Sequence, residues 1–157
     1  MRIGFSKDLH LLKEGRPLMI GGVHIPFYKG TLGYSDGDAL LHAIAESLLG
    51  SLALGDLGTH FPPNDERFLN IDSKIILKES YELVKKQGYK IINIDTMVYL
   101  EKPKLKDYIL EIRKSISEVL EIDIDQISVK ATTYEGTGEI GSSNAISCEA
   151  VCLVDRV

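Results

Sequence analysis

Positive charge is in short supply in this chain. It carries 18 Lys and Arg against 23 Asp and Glu, a net charge of −5. That balance argues against the broad cationic footprint of a nucleic-acid binder, while leaving room for a local phosphate pocket. No apolar run approaches the roughly 20 residues of a membrane span, and no signal-peptide pattern precedes the first strand-like segment. Cysteine is scarce. Cys148 and Cys152 stand four apart in one strand-like stretch, on one face but roughly 13 Å from each other at the usual rise per residue. That distance exceeds disulfide reach, so they read as small buried apolar residues in a reducing cytoplasm. There is no tryptophan, no low-complexity tract, no internal repeat and no linker. What the chain does have is 157 residues with 44% hydrophobic content, enough for one core, and it is expected to be a single domain over 1–157.

Periodicity and turn residues give the element order. Residues 1–10 read as a strand. Arg16 to Ile25 reads as a hairpin around Gly21-Gly22, and Pro26 to Tyr34 as loop. A helix is expected from Asp36 to Leu54, capped by Ser35 or Asp36, with Gly50 as a point of interruption. Gly55 to Leu69 is irregular, and a loop that long in a small domain points to substrate binding. A second helix runs from Asp72 to Gly88 with Asp72 or Ser73 at its cap, followed by a strand over Tyr89 to Glu101. Pro103 opens a third helix that ends near Leu120. Strands over Asp125–Tyr134 and Ala145–Val154 flank a Gly/Ser-rich loop, Glu135–Asn144. This order lacks a strict βαβ rhythm, so the expected fold is an α+β two-layer sandwich, a mixed four-stranded sheet with helices on one face. Ala150 to Val154 are apolar at consecutive positions, as in a strand buried on both sides. Oligomerisation would bury the second face.

Three residues stand out chemically: Asp8, His10 and His42. One carboxylate and two imidazoles make a zinc site that keeps a fourth position open. Asp8 and His10 are two apart on a strand and share a face. His42 belongs to Ser35-Asp36-Gly37-Asp38-Ala39-Leu40-Leu41-His42-Ala43, a helix start. Asp38, His42 and Glu46 recur at intervals of four on one helix face. Asp38 or Glu46 is therefore the expected acceptor for the second nitrogen of His42. By contrast, His24 reads as a partly exposed strand residue and His60 as a solvated loop residue.

Asp8-Leu9-His10, SDGDALLHA (35–43), ALGDLG (53–58) and VKATTYE (129–135) together resemble the 2-C-methyl-D-erythritol 2,4-cyclodiphosphate synthases of the non-mevalonate isoprenoid pathway. The resemblance covers Met1 to about Val154, with motifs in the family's order and spacing. It implies a homotrimer whose sheets pack around a threefold axis, with active sites between subunits. It implies cyclisation of a cytidine diphosphate derivative of methylerythritol 2-phosphate with release of CMP. Positioning and charge neutralisation carry such a phosphoryl transfer.

The resemblance also implies residue roles. Zinc on Asp8, His10 and His42 would polarise the β-phosphate. Glu135 would hold a magnesium or manganese ion bridging the substrate phosphates. Thr133 would stabilise the transition state, with Thr132 and Tyr134 beside it. Asp56, Leu57 and Gly58, with Phe61, Pro62, Pro63, Asn64 and Asp65, match loops around the methylerythritol moiety. Leu100, Pro103, Lys104, Leu105 and Lys106 match the segment that receives cytosine. Ser35 and position 34 match the substrate and transition-state groups beside the zinc.

Departures from the family pattern are local. Tyr34 stands where the family usually has histidine, Pro63 where it often has aspartate, and Glu46 where aspartate is usual. Glu139, Ser142 and Asn144 replace an aromatic and an Arg–Glu pair that line the threefold channel in relatives, so tight isoprenoid diphosphate binding there is not expected. These changes motivate the alternative of a catalytically silent zinc- or nucleotide-binding homologue.

Overall fold

Alternation along the first strand sets the architecture. In the computed structural model, which describes residues 1–157, β1 spans Arg2–Glu14. Gly4, Ser6 and Leu12 turn inward, while Ile3, Phe5, Leu9 and Leu11 point out. β2 (Leu18–Ile20) and β3 (Val23–Ile25) form a separate hairpin. Its Gly21-Gly22 turn takes φ values of 61° and 78°, a region glycine enters without steric penalty. β4 is Lys29–Thr31, α1 Ala39–Ser51, α2 Leu57–His60 and α3 Ser73–Lys86. β5 is Tyr89–Tyr99, α4 Ile109–Leu120, β6 Ile127–Thr132, α5 Gly138–Gly141 and β7 Ala145–Arg156.

The main sheet runs β4-β1-β7-β5-β6. Only β5 and β6 are parallel; the other neighbours are antiparallel. α1, α3 and α4 cover one face. Under them lie the inward residues of β5 (Ile91, Ile94, Val98), β6 (Ile127, Val129) and β7 (Ile146, Cys148, Ala150, Cys152, Val154). The mixed α+β fold with helices on one face is as expected. The sheet, however, has five strands rather than four. Residues 29–31, read as loop, pair with Leu12–Glu14 as an edge strand. Gly30 permits this, because a Cβ there would stand 2.1 Å from the Arg16 and Pro17 carbonyl oxygens. β1 also extends beyond residue 10 to make that pairing.

Other expectations shift in detail. α1 begins at Ala39, and its cap is Asp38, not Ser35 or Asp36. The Asp38 carboxylate accepts the Leu41 N–H at 3.0 Å and the turn N–H groups of Gly21 and Gly22 at 2.9 and 2.7 Å. One buried carboxylate thus ties a hairpin to a helix start. Gly50 does not interrupt α1, which continues to Ser51. Asp72 caps α3 as expected. α4 starts at Ile109 rather than at Pro103, after a 3-10 turn over Lys106–Tyr108. The irregular 55–69 segment holds α2 and a 3-10 turn, Glu66–Phe68. β7 is covered on one face only: Val151 is exposed and Leu153 half-buried, while Ala150, Cys152 and Val154 are buried. No helix is long and apolar enough to cross a membrane.

Candidate functional site

Asp8, His10 and His42 meet where β1 passes under α1. One ligand atom from each lies within 4.8 Å of the others. The Asp8 Oδ2 stands 2.7 Å from His10 Nε2 and 3.2 Å from His42 Nδ1. Tetrahedral zinc with bonds near 2.1 Å needs donor atoms roughly 3.4 Å apart, so small side-chain adjustments suffice. The histidine side chains are 15% and 11% exposed, and Asp8 is 28% exposed, so the triad keeps access to solvent.

The remote ring nitrogens fix both tautomers. His10 Nδ1 lies 2.8 Å from the Leu32 carbonyl. A carbonyl only accepts, so Nδ1 carries the hydrogen and Nε2 presents a lone pair. His42 Nε2 lies 2.8 Å from Ser73 Oγ, and that hydroxyl donates to the Asp36 carboxylate. Nε2 therefore donates, and Nδ1 presents a lone pair. Two nitrogen lone pairs and a carboxylate oxygen then converge on one point, an arrangement that calls for a cation between them. The donor set fits zinc.

Without an ion, protons play that part. Burial alone would raise the Asp8 pKa, but hydrogen bonds and positive charge from His10 and His42 hold its carboxyl well below the usual range. Burial opposes charging of His10, yet the Asp8 hydrogen bond and charge outweigh it and raise its pKa. The expected acceptors for His42 lie elsewhere. Asp38 is the helix cap, and Glu46 takes the Ser6 hydroxyl at 2.7 Å and the Leu57 N–H at 3.2 Å. Ser73 occupies the role instead.

A cavity of about 250 Å³ opens beside the triad, lined by His10, Tyr34, Ser35, His42, Leu57, Gly58, Phe61 and Pro63, among others. Asp56 caps α2 by accepting the Thr59 N–H at 2.9 Å. The Tyr34 hydroxyl donates to the Asp65 carbonyl at 3.2 Å and ties the 61–69 loop over the cavity. Pro62 is half-buried, and Asn64 is exposed in that loop.

A second cavity, about 330 Å³, is lined by Leu100, Glu101, Pro103, Lys104, Leu105, Lys106, Thr132 and Thr133, among others. Glu101 binds it together: its carboxylate accepts the N–H of Tyr134 at 3.1 Å and of Gly136 at 3.2 Å. Tyr134 packs edge-on against Tyr99, 5.3 Å between centroids. Glu135 is exposed, its φ is 52°, and its N–H donates to Thr133 Oγ1 at 3.3 Å. Lys130 points away from this cavity, to Asp95 at 2.8 Å.

The two cavities belong to different strands at one level of the sheet. Asp8 pairs with Cys148 and His10 with Ile146, while Tyr99 pairs with Ser147 and with Thr132. Three strand spacings, roughly 14 Å, separate β1 from β6. One chain therefore does not bring Glu135, Thr132 or Thr133 onto the triad.

The profile described as the YgbB family matches residues 1–155. This chain belongs to that family. It is 49% identical, over 157 residues and the whole of both chains, to the 2-C-methyl-D-erythritol 2,4-cyclodiphosphate synthase of Chloroherpeton thalassium. It is 50% identical to the synthase of Natranaerobius thermophilus, covering all of this chain and 99% of that one. A solved 2C-methyl-D-erythritol-2,4-cyclodiphosphate synthase superposes with a TM-score of 0.91 at 37% identity, over 98% of this chain and 100% of that one. A CDP-bound form gives a TM-score of 0.91 at 36% identity, with the same coverage. The bifunctional IspDF of Campylobacter jejuni matches with a TM-score of 0.96 at 36% identity; this chain aligns over 99% of its own length and spans 42% of that protein.

Within this YgbB-family fold, two polar residues escaped the sequence reading. Ser73 was assigned only to a helix start, because its bond to His42 crosses 31 residues. Glu101 is legible as a strand end within the 100–106 segment that the resemblance matches to cytosine, but its hold on the Tyr134 and Gly136 backbone is not, because those partners lie more than 30 residues away.

Proposed function

We propose that this chain is a single-domain (1–157) cyclodiphosphate synthase of isoprenoid biosynthesis. It converts 4-diphosphocytidyl-2-C-methyl-D-erythritol 2-phosphate to 2-C-methyl-D-erythritol 2,4-cyclodiphosphate and CMP. An oxygen of the 2-phosphate attacks the β-phosphorus, and the bond to the CMP oxygen breaks. The observation that carries this reading is the pair of half-sites, one with a metal triad and one with a nucleotide-sized cleft, held at one level of a single sheet. Packing three copies around a threefold axis would set the cleft of one subunit against the triad of the next. The outward Ile3, Phe5, Leu9 and Leu11 support such packing.

Asp8, His10 and His42 would hold zinc, which supplies Lewis-acid polarisation of a phosphate oxygen. Glu135 would hold magnesium or manganese, since one hard carboxylate suits an ion that takes its other ligands from phosphate and water. Ser35, whose oxygen already accepts the Gly37 N–H at 3.1 Å, keeps its hydroxyl hydrogen free for a phosphate. Thr132 and Thr133 offer hydroxyls to the diphosphate, and Lys104 adds positive charge. Asp56 and Gly58 border the space for the methylerythritol hydroxyls. The residues from Leu100 to Lys106 take the cytosine. Cys148 and Cys152 are free and buried, in keeping with a reducing cytoplasm.

A second reading, a catalytically silent zinc- and nucleotide-binding homologue, draws on Tyr34, whose hydroxyl is engaged by the Asp65 carbonyl. Phosphorus NMR with zinc, magnesium and the cytidine diphosphate substrate separates the two. Cyclic diphosphate and CMP, absent with His42→Ala, establish the synthase. No turnover from folded, zinc-loaded protein moves the conclusion to the silent homologue.

A further inference from the structure

The acceptor behind His42 is a serine with a carboxylate behind it, brought together from the start of α3 and the loop before α1. Ser73 is the first residue of α3 and is fully buried. Its N–H donates to Asp36 Oδ2 at 3.1 Å, and its hydroxyl donates to Asp36 Oδ1. The backbone supports the same placement: the Asp36 N–H donates to the Ile71 carbonyl at 3.1 Å, and the Asn70 N–H to the Tyr34 carbonyl at 2.8 Å. Both hydrogens that Ser73 offers are thus taken by one carboxylate.

That leaves a lone pair of Ser73 Oγ as the only feature it can present to His42 Nε2, 2.8 Å away. Ser35 Oγ is a longer second contact at 3.1 Å and accepts from Gly37, so it does not impose a direction. Histidine ligands need their second nitrogen held by an acceptor, which fixes ring orientation and tautomer and raises ligand basicity. Asp36 makes Ser73 such an acceptor. Without Asp36, the hydroxyl could rotate and donate to Nε2, turning Nδ1 into an N–H aimed at Asp8.

We infer that Ser73, oriented by Asp36, is a positioning residue of the metal centre that holds His42 with Nδ1 free to bind the ion. This rests on the zinc reading of the triad and goes beyond it, assigning a role to a helix start some thirty residues from the ligand it orients.

The test is zinc affinity by chelator competition on the full-length protein, with the thermal midpoint of the metal-free form as a folding control and CDP affinity as a control for the other half-site. Ser73→Ala is expected to weaken zinc by about 10- to 100-fold, the range for partners behind metal ligands, with CDP affinity unchanged. Ser73→Thr, which keeps the hydroxyl, should recover most of the loss. Asp36→Asn, which leaves Ser73 in place but supplies an amide able to donate, should weaken zinc severalfold; it carries the test if Ser73→Ala does not fold. Wild-type zinc affinity in Ser73→Ala overturns the inference, as does equal weakening in folded Ser73→Ala and Ser73→Thr. Unchanged affinity in Asp36→Asn overturns it where Ser73→Ala does not fold. A wild-type protein that binds no zinc removes the metal reading along with it. Zinc-binding wild type without turnover removes the proposed activity alone.

Discussion

Phe5 on β1 and Val151 on β7 are direct partners across the antiparallel ladder, and both face away from the helices, 62% and 37% exposed. Ile3, Leu9 and Leu11 continue the apolar face. Covering a side chain of this size stabilises by about 1.5–3 kcal/mol, and a threefold contact would use each residue three times. Phe5→Glu places a charge in that contact. If the copies pack as proposed, sedimentation velocity should show a shift from trimer to monomer, and activity should fall more than about 100-fold because that arrangement draws the two half-sites from different copies. A Phe5→Glu protein that stays trimeric would remove this face from the interface.

Glu101 sits at the junction of the 330 Å³ cleft and the loop bearing Thr133 and Glu135. Its two backbone bonds hold that loop while Glu135 occupies a left-handed conformation. Hydrogen bonds to a charged acceptor contribute about 1.5–3 kcal/mol. Glu101→Ala should therefore weaken CDP binding by about tenfold, read by calorimetry, while zinc affinity stays as in wild type. Equal loss of zinc and CDP binding would indicate a global effect instead.

The long elements were legible because period and punctuation agree. β5 alternates, α3 is bracketed by Asp72 and Gly88, and the Gly21-Gly22 hairpin is written in two residues. β4 was missed because Lys29-Gly30-Thr31 has no apolar alternation; its pairing comes from the close approach to the Arg16-Pro17 backbone. The triad was legible because carboxylate and imidazole have few other reasons to share a face. Its support was not. Asp38 and Glu46 share the His42 helix face by spacing, but the fold turns Asp38 to the hairpin N–H groups and Glu46 to Ser6 and Leu57. Serine is common at helix starts, so nothing in one sequence links Ser73 to His42.

The raised pKa of His10 and the depressed pKa of Asp8 make stability depend on pH in opposite senses. The His10 contribution is full below its unfolded value near 6.5 and is lost as pH rises through the higher folded value. The Asp8 contribution is full above its unfolded value near 3.8 and is lost as pH falls through the lower folded value. Urea titrations at about pH 6 and pH 8 should thus find the metal-free protein less stable at the higher pH. Zinc needs both imidazoles neutral, so the stabilisation it adds should grow over the same interval. Equal zinc stabilisation at both pH values would contradict proton–metal competition at His10.

A glycine at the β1–α1 contact and one on the exposed side of α1 should respond oppositely to alanine. A Cβ on Gly4 would stand 1.9 Å from the Ser47 carbonyl oxygen of α1, against backbone that carries the helix hydrogen bonds. Relief requires α1 to move off β1, and α1 carries His42 while β1 carries Asp8 and His10. Overpacking of this kind costs about 1–3 kcal/mol, and the displacement should also weaken zinc binding. Gly50 lies in the same helix on its exposed side, and a Cβ there meets nothing within 4 Å. Alanine at that position removes the helix-interior glycine penalty, about 0.8–1.0 kcal/mol. Thermal melts of Gly4→Ala and Gly50→Ala should therefore move down and up, with zinc affinity lowered only in the first. A lower melt without a loss of zinc affinity in Gly4→Ala would mean that the triad tolerates movement of α1 against β1.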